Sequence, residues 1–139
     1  MPKLLWFMIC ERAIVDRQTN EVSLIDIKDY IECPQTVDIY PFPLTVVSMW
    51  ERISAEDAKF STSLEVRFIK GDSEVHKQVI PSGSHTFAAP RMRNQFVFFD
   101  MQVQDANRAV FRVILEREGH QPETLPNEFI IGLPRIEIG

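Results

Sequence analysis

Glycine is scarce in this chain, five in 139 residues. Neither G-x-G-x-x-G nor G-x-x-x-x-G-K occurs, so no glycine loop closes its backbone N–H groups on a phosphate, and nucleotide binding of that kind has no support. Cysteine is scarcer, with Cys10 and Cys33 alone. No C-x-x-C, H-x-H or H-E-x-x-H spacing accompanies them, which removes the usual zinc arrangements. Without an export signal, two reduced thiols in a cytosolic protein are the expectation. Positive charge is also short: 15 Lys and Arg against 20 Asp and Glu leave a formal net charge of −5. Sequence-independent nucleic-acid binding needs a dense basic surface, and anionic membranes attract one too, so both partners are excluded as expectations. A long hydrophobic run is likewise missing. The stretch Leu4 to Cys10 follows a lysine, as in a secretory leader. It meets Glu11-Arg12 at once and has no small-residue cleavage site, so it reads as a first strand. A membrane helix needs ~20 apolar residues.

What the chain does have is β pattern. Hydrophobic content of 45% and charged content of 25% are those of a soluble globular protein. The length fits one domain over 1–139, able to fold without metal or disulfide. Leu4 to Val15 and Val22 to Glu32 are rich in Ile, Val and Leu around Arg17-Gln18-Thr19-Asn20, which predicts a hairpin. Ile25, Ile27 and Ile31 share one face of the second run, and Asp26, Lys28 and Tyr30 share the other, a solvent face. Leu24 beside Ile25 breaks the alternation and predicts a bulge or a residue buried on both sides.

Further strands are predicted at Leu44 to Ile53 after "YPFP", at Leu64 to Phe68, at Glu74 to Ile80, at Val97 to Val103, at Ala109 to Arg117 and at Phe129 to Ile138. Only Ser54 to Phe60 suits a short helix, with Ser54 as cap and Asp57 three residues on. The expected fold is all-β: an antiparallel two-sheet sandwich of about eight strands, immunoglobulin-like or C2-like. Trp50 is expected in the core. Phe96, Phe98, Phe99 and Phe111 place one aromatic face inside, and the other under a loop, a sheet edge or a partner.

Catalytic chemistry finds little to stand on. His76, His85 and His120 accompany no nucleophile elbow, and "SGSH" at Ser82 to His85 reads as a turn. Cys10 is flanked by Met8 and Ile9, not by the electropositive setting a reactive thiol needs. Asp16, Asp72 and Asp105 fall singly in turns, where Asp caps its own backbone, and no closely spaced acids converge as calcium requires. "PRMRNQ" supplies Arg91 and Arg93 in a predicted loop beside Phe96, either solvent-exposed or paired with a local acid. His85, Arg91 and Arg93 are the candidate ligand or partner surface.

"CERAIVDRQTNEVSLIDI" followed by "FPLTVVSMW" resembles an uncharacterised family of small bacterial proteins that pairs a D-x-x-T-x-x-x-S-L hairpin with a P-x-x-V-V-x-x-W strand. The matching residues are Asp16, Thr19, Ser23, Leu24, Phe42, Pro43, Leu44, Val46, Val47 and Trp50. The resemblance covers roughly the first 53 residues. It implies a compact bacterial β-sandwich and brings no activity with it.

The expected function is a non-catalytic protein-interaction module in a bacterial cytoplasm, binding an unknown protein through a sheet edge or an aromatic face. No enzyme activity, cofactor, metal, nucleic-acid or membrane partner is expected. The alternative is a small-molecule-binding or sensing domain with a pocket between sheets or loops. The first hairpin carries no proline between Pro2 and Pro34, so its unguarded edge also makes a homodimer a candidate assembly.

Overall fold

A strand with one wet face buries every second side chain, so two such sheets bury their apolar faces only by stacking. The computed structural model describes residues 1–137 and has that arrangement. Among the described residues ten strands form: β1 (Lys3–Val15), β2 (Val22–Ile27), β3 (Cys33–Pro34), β4 (Leu44–Glu51), β5 (Lys59–Lys70), β6 (Ser73–Thr86), β7 (Arg91–Phe98), β8 (Arg108–Glu116), β9 (Glu123–Gly132) and β10 (Arg135–Ile136). One antiparallel sheet has the order β2-β1-β4-β7, the other β6-β5-β8-β9, and β3 pairs with β10 as a short parallel ladder. The expected all-β, two-sheet sandwich is present.

Between the sheets lie Phe7, Ile9, Val46 and Trp50 from the first, against Leu64, Val66, Phe68, Phe111 and Leu115 from the second. Each such side chain contributes about 1.5–3 kcal/mol on leaving water. Trp50 is 1% exposed and donates its indole N–H to Ser48 Oγ at 3.0 Å, so even its polar edge is satisfied. Phe98 and Phe111 are also core, Phe96 is half-buried, and Phe99 is 56% exposed.

Several sequence expectations need correction. "SGSH" is no turn: β6 runs through it, with a register shift opposite Thr62/Ser63 that makes room for an extra residue. Pro81 is tolerated because β6 is an edge strand, and Gly83 takes φ +110, which favours glycine. "RMRNQ" is no loop either. Met92, Asn94, Phe96 and Phe98 pair with Trp50, Ser48, Val46 and Leu44, so the arginines occupy the outward positions of a strand. The strand expected to reach Val103 ends at Phe98, before Asp100 at φ 56. The second strand ends at Ile27 with an unshifted register at Leu24 and Ile25, and the irregularity is Asp26 at φ 53. Ser54 to Phe60 holds a single 3-10 turn, Ala55–Ala58, whose Asp57 carboxylate accepts the N–H of Ser54 at 3.0 Å and of Ile53 at 3.3 Å. The last strand begins six residues early, at Glu123 rather than Phe129, and breaks at Leu133-Pro134. Ile138 lies outside the described residues.

The first hairpin is not a flat sheet edge. Thr45 faces outward opposite Cys10, yet its hydroxyl donates to the Glu11 carbonyl at 3.4 Å, so β1 turns over the outer face directly after Cys10. At the hairpin tip, Asn20 presents its backbone and side-chain oxygens to the Arg93 guanidinium at 3.0 Å each. Arg93 stands two strands away from β1. Residues 11–26 therefore form an arm folded across the outer face of the first sheet. Val47 and Cys10 are wholly buried outside the inter-sheet core, as a covering layer requires. Among the described residues the second sheet has no such cover, and its outer face carries the Glu65, Arg112 and Glu128 row, with Arg112 and Glu128 paired at 3.1 Å.

Candidate functional site

The β6 bulge brings polar side chains together at the end of the sandwich where Trp50 packs against Phe60 in a tilted pair (centroids 4.8 Å, 51° between planes). His85 Nε2 lies 2.9 Å from Thr62 Oγ1 and 3.2 Å from Asn94 Nδ2, and Ser82 Oγ joins Thr62. An amide nitrogen only donates, so Nε2 accepts there and the ring proton sits on Nδ1. Burial holds His85 below its ordinary pKa, which favours this neutral form. The Thr62–His85 pair has the look of nucleophile and base. Thr62 is only 5% exposed, Nε2 is shared with Asn94, and no carboxylate bonds the ring among the described residues. The cluster thus lacks both the access and the orienting acid of a catalytic triad. It ties β5, β6 and β7 across the open side of the sandwich. Beside it a cleft of about 600 Å³ is lined by Lys59, Ser84, His85, Glu116 and His120.

Arg91 and Arg93 do not line that cleft. Their register places them on the outer face, opposite Glu51 and Met49, while Asn94 points inward to His85. Arg91 pairs with Glu51 at 3.3 Å, and Arg93 latches the arm. The three candidate residues are therefore split between two faces and do not converge.

The opposite end carries a different surface. Residues 29–35 run beside the chain after β9: Gly132 N–H donates to Asp29 O (2.8 Å), Ile31 N–H to Gly132 O (2.8 Å), Cys33 N–H to Pro134 O (2.9 Å) and Gln35 N–H to Ile136 O (3.0 Å). Alternation buries Ile31 and Cys33 and turns Tyr30 and Glu32 outward. Arg135 fastens the same end, donating to the carbonyls of Val37 (3.1 Å), Ala106 (3.2 Å), Val103 (3.3 Å) and Gln104. Tyr40 is pinned through its N–H to Met101 O at 2.8 Å, and its ring meets Phe42 edge-on with centroids 5.5 Å apart. Burial, with Cys33 and Glu11 nearby, raises the Tyr40 phenol above its ordinary pKa. Phe42 is 64% exposed and Tyr30 61%. With Ile27 they line a groove of about 550 Å³ whose rim carries Asp26, Asp29 and Glu32.

Sequence reasoning passed over this groove. In sequence Tyr30 is one more solvent-face residue, and "YPFP" only precedes the strand from Leu44. The available signal was Phe42 itself, an aromatic held between Pro41 and Pro43. No cluster of three metal-ligating side chains occurs among the described residues, and no helix there is long and apolar enough to cross a membrane. No known protein-family model matches the chain, and no curated protein matches it either.

Proposed function

We propose that the protein is a non-catalytic interaction module of a bacterial cytoplasm, docking another protein through the groove of Tyr30, Tyr40 and Phe42. The observation that carries this reading is two large rings, each more than three-fifths exposed, Tyr30 between two backbone hydrogen bonds with Gly132 and Phe42 two residues after the Tyr40 N–H bond to Met101 O. Exposed apolar patches mark interaction surfaces, and aromatic anchors supply most binding energy when a partner covers them. Rigidity adds to this. Pro41 and Pro43 restrict the chain around Phe42, so little conformational entropy is left to lose on binding. The bacterial family resembled by the first 53 residues is consistent with such a scaffold. Two of its matching residues do structural work here: Asp16 accepts the N–H groups of Gln18 and Thr19, and Trp50 fills the core.

The test is the double variant Tyr30→Ala/Phe42→Ala, measured against the partner that wild-type protein captures stoichiometrically from its native host. Both side chains lie outside the core, so the melting temperature should stay within a few degrees. Loss of an interface anchor typically costs at least about 2 kcal/mol, roughly thirtyfold in Kd. Equal affinity of variant and wild type for that partner would remove the groove from the interface.

A further inference from the structure

We infer that the groove selects a cationic side chain, arginine or lysine, carried on an extended segment of the partner protein; this rests on the interaction reading above. Its lining includes the rings of Tyr30, Tyr40 and Phe42, and the face of a phenyl or phenol ring attracts a cation through its quadrupole. The rim is acidic. Asp26, Asp29 and Glu32 are all exposed there, against Lys28 as the one cation, so the lining has a formal charge of −2 (one minus three).

These acids are also unspent. Glu51, Glu74, Asp105 and Glu128 each pair with an arginine or lysine of the chain, and the buried Asp57 pairs with the amino group of Met1. Asp26, Asp29 and Glu32 form no ion pair among the described residues, and neither does Lys28. A partner cation would therefore displace only water from them. An ordinary apolar anchor would bury the rings and leave three carboxylates to be partly dehydrated without compensation, which opposes binding. Guanidinium suits the site best in geometry, because a planar cation stacks on a ring while its edge donates to a carboxylate.

A segment presenting that side chain would lie along residues 28–32. The backbone there is already paired to Gly132 on one side through Asp29 and Ile31. The platform is thus in place before the partner arrives, and discrimination comes from charge at the rim more than from rearrangement.

The probe is the peptide acetyl-Gly-Arg-Gly-Arg-Gly-amide, with its norleucine counterpart as the neutral control, titrated into 15N-labelled full-length protein. The expected result is saturable shifts at the amides of Tyr30, Glu32 and Phe42 with the arginine peptide. They should be several-fold weaker in 0.5 M NaCl, because exposed charges are screened. Asp29→Asn/Glu32→Gln, two exposed changes that leave the fold alone, should weaken the arginine peptide at least about threefold and leave the control unchanged. Norleucine binding as tight as arginine would overturn cation selectivity while leaving the groove as an apolar docking site. Arginine-induced shifts confined to other surfaces, or absent altogether, would also overturn it. The broader interaction reading would still be decided by how the captured partner responds to Tyr30→Ala/Phe42→Ala.

Discussion

Trp50 and His85 lie at the same end of the sandwich, and their environments give opposite kinds of prediction. Trp50 packs on Phe60 with its N–H satisfied by Ser48. Trp50→Ala should therefore cost about 3–5 kcal/mol, mostly as an unfilled cavity. For a domain of this size that lowers the melting temperature by at least about 10 °C. A melt within two degrees of wild type would mean that the indole contributes no core packing. His85 acts through pH. Its folded-state pKa is depressed by burial, so between that value and the ordinary ~6.5 the unfolded chain binds a proton the folded chain does not. Stability is then fully present above about pH 6.5 and is lost as pH falls through the folded pKa. Urea denaturation at pH 7 and pH 5.5 should show this loss in the wild type and a smaller one in His85→Gln. Equal losses would place the protonation elsewhere.

Among the elements, those with one core face and one wet face were legible. Leu64, Val66 and Phe68 alternate with Glu65 and Arg67, and β5 lies there with those three apolar side chains inside. β7 was not legible over Arg91 to Asn94. Its inward positions there include the polar Asn94 beside Met92, so polar residues occupy three of the four positions and hydropathy does not alternate cleanly. The groove was illegible for a further reason. It depends on residues 29–35 pairing with chain about a hundred positions away, and on Arg135 collecting carbonyls from two separate loops. The folded arm was equally hidden, because Arg93 and Asn20 are 73 residues apart and neither has an obvious partner in sequence. Since the latch is an exposed fork of two hydrogen bonds, Arg93→Ala should change global stability by no more than about 1 kcal/mol. Hydrogen exchange at Ser23, Leu24 and Ile25 should nevertheless accelerate clearly, as a locally weakened unit does. Unchanged exchange in that variant would show that the apolar cover alone holds the arm.

At the scale of the whole molecule, the two sheets solve the edge problem unequally. β6 is guarded by Pro81 and a register shift, and β9 by Pro126 and a register shift against β8, so strand addition is obstructed along the second sheet. The first sheet protects its face instead, by laying its own hairpin over it. This divides the two thiols of the chain into different kinetic worlds. Cys33 belongs to the inter-sheet core cluster, whereas Cys10 is sealed under the arm, and burial raises both above the ordinary thiol range. An oxidant reaches a buried sulfur only in conformations that uncover it. Cys33, on the two-residue β3, then waits for the short β3–β10 ladder to detach from the core, while Cys10 waits for a hairpin to lift. Under oxidative stress sulfenic acid would then form at Cys10 at the frequency of arm opening and at Cys33 at the frequency of ladder opening, each while the rest of the fold stays closed.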